Sequence, residues 1–491
     1  MDTPTPDTAP DIIATTLAGF VRQMRLDQIP PAVRLRAKYL MLDAIGCGLA
    51  ARCDPFAKRF SETSYALAAD APGAASVVGY TRRLPVRDAA MLNGVLLHGL
   101  DYDDTHMAGV IHLTVSVLPA LLATAGQFSV SGADLLAAYI AALEAGARLA
   151  SVMRGGLHAQ GFHPTGVIGA FACALAVGRV MGLSAEQLVH AQGAALSFAS
   201  GSLQFIEDGA WTKRIHPGWA AQSGIVAATL AAHGIQAPQA PYTGRYGLYR
   251  IYLDEAARAG LDPTLAIAGL SIDGSAMVWQ TANVAVKPYA MCHFVHAAID
   301  AAIVLHRRGV DVASVSDIEV LVPAAAVQLV CEPAGHKRRP ENDYDAKFSL
   351  PYAVACGLLR GRLGLKELEP AAYRDPQILA LMDMVRYVED ADSTFPRHYT
   401  GEVRVTLTDG TTLRHREAVN RGHVDKPLSN EDVHEKFMQN ATLHFPPAHA
   451  RALSELILGL DALPSLTGLE SLLARDPPDA ASARELDVTH A

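Results

Sequence analysis

The chain has 491 residues, half of them apolar and 19% charged, with a formal charge of −9. That length exceeds the ~250–300 residues at which single cores stop growing, so two domains are expected, and so few charges imply helices that face other helices or a partner subunit. An acidic chain without a basic tract argues against nucleic acid, whose binding rests on Lys and Arg neutralising phosphates, and six scattered cysteines with no C-x-x-C pair argue against a disulfide framework or a structural zinc site.

In chain order, "MDTPTPDTAPD" is acidic and rich in Pro and Thr, without the basic and apolar regions of a secretory signal. Residues 1–10 therefore read as a disordered lead-in, and a cytoplasmic location is expected. From Asp11 to about Gly269 the apolar spacing is helical almost throughout, as in "AVRLRAKYLMLDAIGCGLAA". Ser131 with Asp134 and Ser184 with Gln187 have the spacing of capping boxes. The uncharged run from Leu113 to Ala133 carries Pro119, Gln127 and several small polar residues, which favours buried helices over a bilayer span. Residues 11–279 thus form the first part of an all-α domain.

Composition changes near residue 280. "VSDIEVLVP" alternates, and "GEVRVTLTDGTTLRHREAV" reads as a hairpin around Asp409-Gly410. "AAIDAAIVLHRRG" and "KFSLPYAVACGLLRG" between them read as helices, giving a smaller α+β domain over 280–422. Residues 423–491 turn helical again.

Ionisable residues gather at four places. In "NGVLLHGLDYDDTHMAGVIH", Asp101, Asp103, Asp104, Thr105, His106 and His112 follow the last apolar turn of a helix. That end already carries the negative pole of the helix dipole, so carboxylates there ask for a reason. An Asp-rich turn that caps the next helix is the plain alternative; a metal site is weaker, with neither an H-x-x-x-H pair nor a D-x-D-x-D-G loop present. In "RGGLHAQGFHPTGVIGAFACALAVG", His158 and His163 precede an apolar helix that Pro164 opens. In "TKRIHPGWAAQSG", Lys213, Arg214 and His216 make a basic knot before a small-residue helix. In "VAVKPYAMCHFVHAAIDAA", Lys287 is held extended by Pro288, and Cys292, His293 and His296 stand at a helix entry. Each could equally be a structural residue. Signatures of serine hydrolases, P-loop NTPases and dinucleotide enzymes are missing from the sequence.

Together, "NGVLLHGLDYDDTH", "GFHPTGVIGAFACALAVGRVMGLSAEQLVHAQGAALSFASG", "TKRIHPGWAAQSGIVAATLAAHGI", "KPYAMCHFVHAAIDAA" and "DAKFSLPYAVACGLL" resemble the MmgE/PrpD family, in order and over nearly the whole chain. Members of that family include 2-methylcitrate dehydratase, cis-aconitate decarboxylase and iminodisuccinate epimerase. The resemblance implies a mainly α protein: a large all-α domain built from both chain ends, a smaller α+β lid domain, and a homodimer. It also implies a site without metal or other cofactor, in a cleft between the domains, on Asp101, Thr105, His112, His163, Lys213 and Lys287, with Cys292 facing it. Animal cis-aconitate decarboxylases carry histidine where Cys292 stands, whereas dehydratase-like and epimerase-like members commonly carry cysteine.

The implied substrate is a small anionic di- or tricarboxylate that gives up or accepts a proton at a carbon next to a carboxylate. Lys213, Lys287, His112 and His163 suit the binding of that carboxylate and of the charge developed beside it. A histidine near Asp101 suits the proton transfer. A 2-methylcitrate dehydratase-like lyase is the leading expectation, with cis-aconitate decarboxylation, iminodisuccinate-type epimerisation or a non-catalytic helical scaffold as alternatives. Neither nucleic acid nor a membrane is an expected partner.

Overall fold

In the computed structural model, which describes residues 11–69, 71–207, 209–271 and 277–475, several helices begin where side chains satisfy their free amides. Ser184 and Gln187 form a full capping box, and the Ser131 hydroxyl accepts from the Asp134 amide. The fold is mainly α with small sheets. The expected lead-in, residues 1–10, lies outside the described residues.

The chain divides into two units, one of Met1–Phe205, Ala210–Val284 and Asn430–Ala491, the other of Ile206–Gly209 and Ala285–Ser429. Ten helices lead through the first unit: α1 Ile12–Gln23, α2 Pro31–Ala51, α3 Pro55–Leu67, α4 Val86–His98, α5 Thr114–Ala125, α6 Gly132–Val152, the single turn α7 Gly156–Ala159, α8 Pro164–Val180, α9 Ala185–Leu196 and α10 Ile215–Ala232. Helices α8 and α10 form its centre, each in contact with several of the others. A Cβ on Gly94 would lie 2.4 Å from the Gly218 Cα. Only glycine on α4 therefore lets α10 cross this close, and that crossing sets the end of α4 beside the start of α10. By length and composition α6 could cross a membrane, but 94% of its apolar window is buried inside the protein.

The second unit is built on a four-stranded sheet in the order Val385–Glu389, Val315–Val322, Gly401–Leu407, Thr412–Glu417. The first pair is parallel, with Ile318 opposite Val385, and the other two pairs are antiparallel. Ile318, Val320 and Val322 alternate inward, fully buried with Val403 and Val405. Helix His296–Arg307 packs on the last two strands and on helix Leu350–Arg360. The hairpin turns where expected, with Gly410 at φ +86°.

The structure differs from the sequence expectation in several places. The first unit carries a hairpin, Ala75–Val77 with Tyr80–Leu84, inside the span read as all-helical. After α10 only single turns of helix form as far as Ala266, where Pro238, Pro241, Gly244, Gly247 and Gly260 interrupt the pattern. The second unit begins at Ala285 rather than 280 because the Gln280 and Thr281 amides donate to buried Glu144 of α6, 2.9 and 2.8 Å away. It extends to Ser429 rather than 422, since Gly422 and Lys426 share a turn and Lys426 pairs with Glu417.

Helix Asn430–Ala441, where the chain returns to the first unit, packs on α2 through a buried ion pair, Lys436 Nζ to Asp43 Oδ1 at 2.7 Å. Burial opposes the Lys436 charge, but the Asp43 carboxylate outweighs it and holds the ammonium protonated. Replacing Lys436 by Met strands the Asp43 charge and is expected to cost about 3–5 kcal/mol, whereas Lys436→Met with Asp43→Leu regains most of it. Urea unfolding at constant m checks this; a single variant within 1 kcal/mol of wild type, on the order of an exposed pair, contradicts it.

Candidate active site

Helix α4 ends at His98, and the chain then turns sharply, with the Asp101 amide donating to the His98 carbonyl at 3.0 Å. Asp101 adopts φ +54°, in the left-handed region that costs a non-glycine residue about 1–2 kcal/mol. The turn carries Asp101, Asp103 and Asp104 inward, each at most 3% exposed. Arg214, buried and stacked over the Phe56 ring, donates its Nε to the Gly99 carbonyl at 2.8 Å. A cation thus closes the negative end of α4.

Each carboxylate is answered differently. Asp101 Oδ1 lies 2.8 Å from Lys213 Nζ, in the short helical turn that opens α10. Asp103 faces two imidazoles, with His98 Nδ1 at 2.9 and 3.0 Å from its two oxygens and His112 Nδ1 at 3.3 Å from Oδ2. Burial alone would raise the Asp103 pKa, but these two rings hold it well below the carboxylate range. Asp104 receives the Thr114 hydroxyl at 2.5 Å, yet burial, with Asp103 and Asp43 nearby, pushes its pKa well up.

The His112 ring is fixed by acceptors. Its Nδ1 is 2.7 Å from the Asp104 carbonyl oxygen, which only accepts, so that nitrogen carries a proton and donates. In the neutral ring the lone pair is then on Nε2. The Thr105 hydroxyl is 3.3 Å from the same Nδ1, and the His112 amide donates to Thr165 of α8 at 3.2 Å. His163 precedes Pro164 at the start of α8, and its Nδ1 is 2.9 Å from His216 Nδ1 of α10. One of these nitrogens donates and the other accepts, so the pair shares a single proton. Ring centroids of His98, His112 and His163 lie 5.0–6.0 Å apart. Burial, then mutual repulsion with His216, Lys213 and the other rings, holds the His163 pKa well below its ordinary value.

Five of the seven residues singled out in the sequence, Asp101, Thr105, His112, His163 and Lys213, therefore gather in the first unit. Lys287 and Cys292 belong to the second unit, both buried, with the Cys292 amide bonded to the Lys347 carbonyl at 2.9 Å. His106 is structural: it contacts Gln280 Oε1 at 3.0 Å and accepts the Gly109 amide. His98, Asp103 and His216 were not among the seven. All three stood in the quoted stretches, but spacing does not say which carboxylate faces which ring.

His98, Asp103 and His112 bring three potential metal ligands within 4.8 Å of one another, and His398, His423 and Asp425 form a second such group. In the first, Nδ1 of His112 donates to a carbonyl and has no lone pair for an ion. In the second, His423 Nδ1 accepts the Asp425 amide at 3.1 Å, so it too is engaged.

Two family models match the chain: the MmgE/PrpD N-terminal domain over residues 15–259 and the MmgE/PrpD C-terminal domain over 289–462. Among curated proteins, the chain is 29% identical to a human cis-aconitate decarboxylase, over 96% of both chains. It is 28% identical to an Aspergillus terreus cis-aconitate decarboxylase, over 94% of this chain and 96% of that one. It is 24% identical to a Cupriavidus necator 2-methylcitrate dehydratase, over 87% and 90%.

The buried imidazoles set an acid limit on the fold. Burial lowers the pKa of His98 and of His106 from 6.5 to about 4. The unfolded chain takes up these protons first, so stability is full above about pH 6.5 and lost as pH falls towards 4. Replacing His106 by Gln removes one titrating group and should flatten the fall in this window by up to about 1.4 kcal/mol per pH unit. Urea midpoints taken across the window give the slope, and an unchanged slope refutes the assignment.

Proposed function

The chain belongs to the MmgE/PrpD family, and from that premise we propose that it is a cofactor-free lyase acting on a small di- or tricarboxylate. Bond breaking leaves an electron pair on a carbon next to a carboxylate; that pair is then met by a proton in decarboxylation, or forms the double bond as the hydroxyl leaves in dehydration. The observation that carries this reading is the buried Lys213–Asp101 pair beside the clustered rings of His98, His112 and His163.

A carbanion next to a carboxylate is stabilised when its charge spreads onto the carboxylate oxygens, which then carry close to two negative charges. Preorganised donors in a dry site meet that charge best. Lys213 supplies a cation and the His163–His216 pair an N–H. His112, with its lone pair on Nε2, suits the proton transfer: as base it removes an α-proton, and as imidazolium it returns one. Asp101 holds Lys213 in place, and Thr105 holds the His112 ring. Lys287 and Cys292 stay candidates for substrate contact on the resemblance alone.

Decarboxylation of cis-aconitate is the first reaction to test, because the decarboxylases match at higher identity and coverage than the dehydratase. There the C–C bond to the departing CO₂ breaks, its electrons delocalise towards a remaining carboxylate, and an imidazolium delivers the proton. Dehydration of 2-methylcitrate, which the sequence had put first, is supported by Cys292, the residue common at that place in dehydratase-like members. It needs one further acid, to protonate the leaving hydroxyl.

Incubation in D₂O with cis-aconitate, 2-methylcitrate, citrate and iminodisuccinate, followed by proton NMR, separates CO₂ loss, water loss and epimerisation. Lys213→Ala is expected to lower turnover at least ~10³-fold, comparable to or beyond the loss of one oxyanion donor, with circular dichroism unchanged. Near-normal turnover in that variant sinks the assignment. A scaffold without activity binds none of these acids, whereas an acid at 100 times its Kd raises stability by about 2.7 kcal/mol.

A further inference from the structure

His98 is the last residue of α4, and its side chain is wholly buried. Its Nδ1 contacts both oxygens of Asp103. Its Nε2 is buried with no hydrogen-bond partner among the described residues. A ring kept in the core with one nitrogen unsatisfied costs more than a leucine of similar size, so the side that is satisfied must matter. That side is a single N–H, spread over a carboxylate that is itself completely dry. Oδ2 of the same carboxylate also lies 3.3 Å from His112 Nδ1.

We propose that His98 is a positioning residue for proton transfer: the Asp104 carbonyl holds the His112 proton on Nδ1, and the His98 Nδ1–H fixes the Asp103 carboxylate beside that ring, so that an anion faces it when Nε2 takes a proton. His98 acts only through Asp103. Without its N–H the carboxylate is free to rotate about its Cβ–Cγ bond, and His112 loses the anion that faces its ring when Nε2 takes a proton. Such a group changes the rate of the proton step and leaves substrate affinity alone. The inference rests on the reading of His112 as the proton-transferring group.

Asparagine separates the hydrogen bond from the ring, because its side-chain nitrogen sits at the same branch as histidine Nδ1. In the full chain, His98→Leu is expected to lower kcat for cis-aconitate about 100-fold with KM within about threefold, while His98→Asn restores kcat to within about threefold of wild type. Heteronuclear NMR of histidine-labelled protein, assigned with His112→Gln, reads the His112 Nδ1–H resonance directly. Its shifts are expected to be alike in wild type and His98→Asn, and to move upfield in His98→Leu as the Asp103 carboxylate turns away from the ring. Should the leucine variant not fold, His98→Gln takes its place, since its amide reaches towards the Nε2 position instead. Wild-type kcat in the Leu or Gln variant overturns the proposal, as does a folded Asn variant impaired as badly as they are. If no acid is turned over by wild type, the reading of the function fails, and the resonance alone decides the role of His98: an unchanged His112 Nδ1–H resonance in every variant overturns it.

Discussion

Burying three carboxylates in one turn is the constraint around which the first unit is arranged. An ionised carboxylate taken out of water costs several kcal/mol unless a partner answers it, and the turn after α4 does this to Asp101, Asp103 and Asp104 at once. Lys213 answers the first, two imidazole N–H groups the second, and the Thr114 hydroxyl together with a raised pKa the third. These partners come from the start of α10, the end of α4, the segment around residue 112 and the start of α5. Satisfying the carboxylates therefore fixes those elements against one another, and the glycine crossing of α4 and α10 is what makes the distances reachable.

The far end of the chain takes part as well. Lys436 lies 334 residues beyond Tyr102, yet its ammonium donates to the Tyr102 carbonyl at 2.8 Å and sits 3.7 Å from that ring's centre. The backbone between Asp101 and Asp103 is thus held by the same cation that pairs with Asp43 of α2. Neither the pair nor the turn is complete without the other. Helix Asn430–Ala441 is part of the candidate site's support and not an appendage to the fold.

Local signals made much of this legible. The Asp409-Gly410 turn, the capping residues and the apolar periods of α2, α6 and α8 act within a few residues of themselves, so sequence spacing reports them. Strand Val385–Glu389 was missed because its alternation is polar and its partner, Val315–Val322, lies far away in sequence and runs parallel. The site was legible as a set of residues but not as a set of pairs. Which aspartate meets Lys213 and which meets His98 depends on Asp101 adopting positive φ. Aspartate is one of the few side chains that visit that conformation, but a turn with three of them does not say which one does, and here it is the one paired with Lys213.

The pairing also bears on how an anionic acid is accommodated. Within direct contact distance, Asp101 and Lys213 cancel, while Asp103 keeps its charge against N–H dipoles instead of full cations. Burial keeps His98 and His163 neutral. These contacts therefore leave the cluster poor in net positive charge despite its basic side chains. On the proposed function, each carboxylate that enters lowers the cost of protonating a neighbouring imidazole, because an opposite charge within a few ångströms favours the charged form. On that reading, binding an acid and acquiring the proton for the later step are one coupled event, and the cluster becomes electrostatically suited to a carbanion only once the acid is in place.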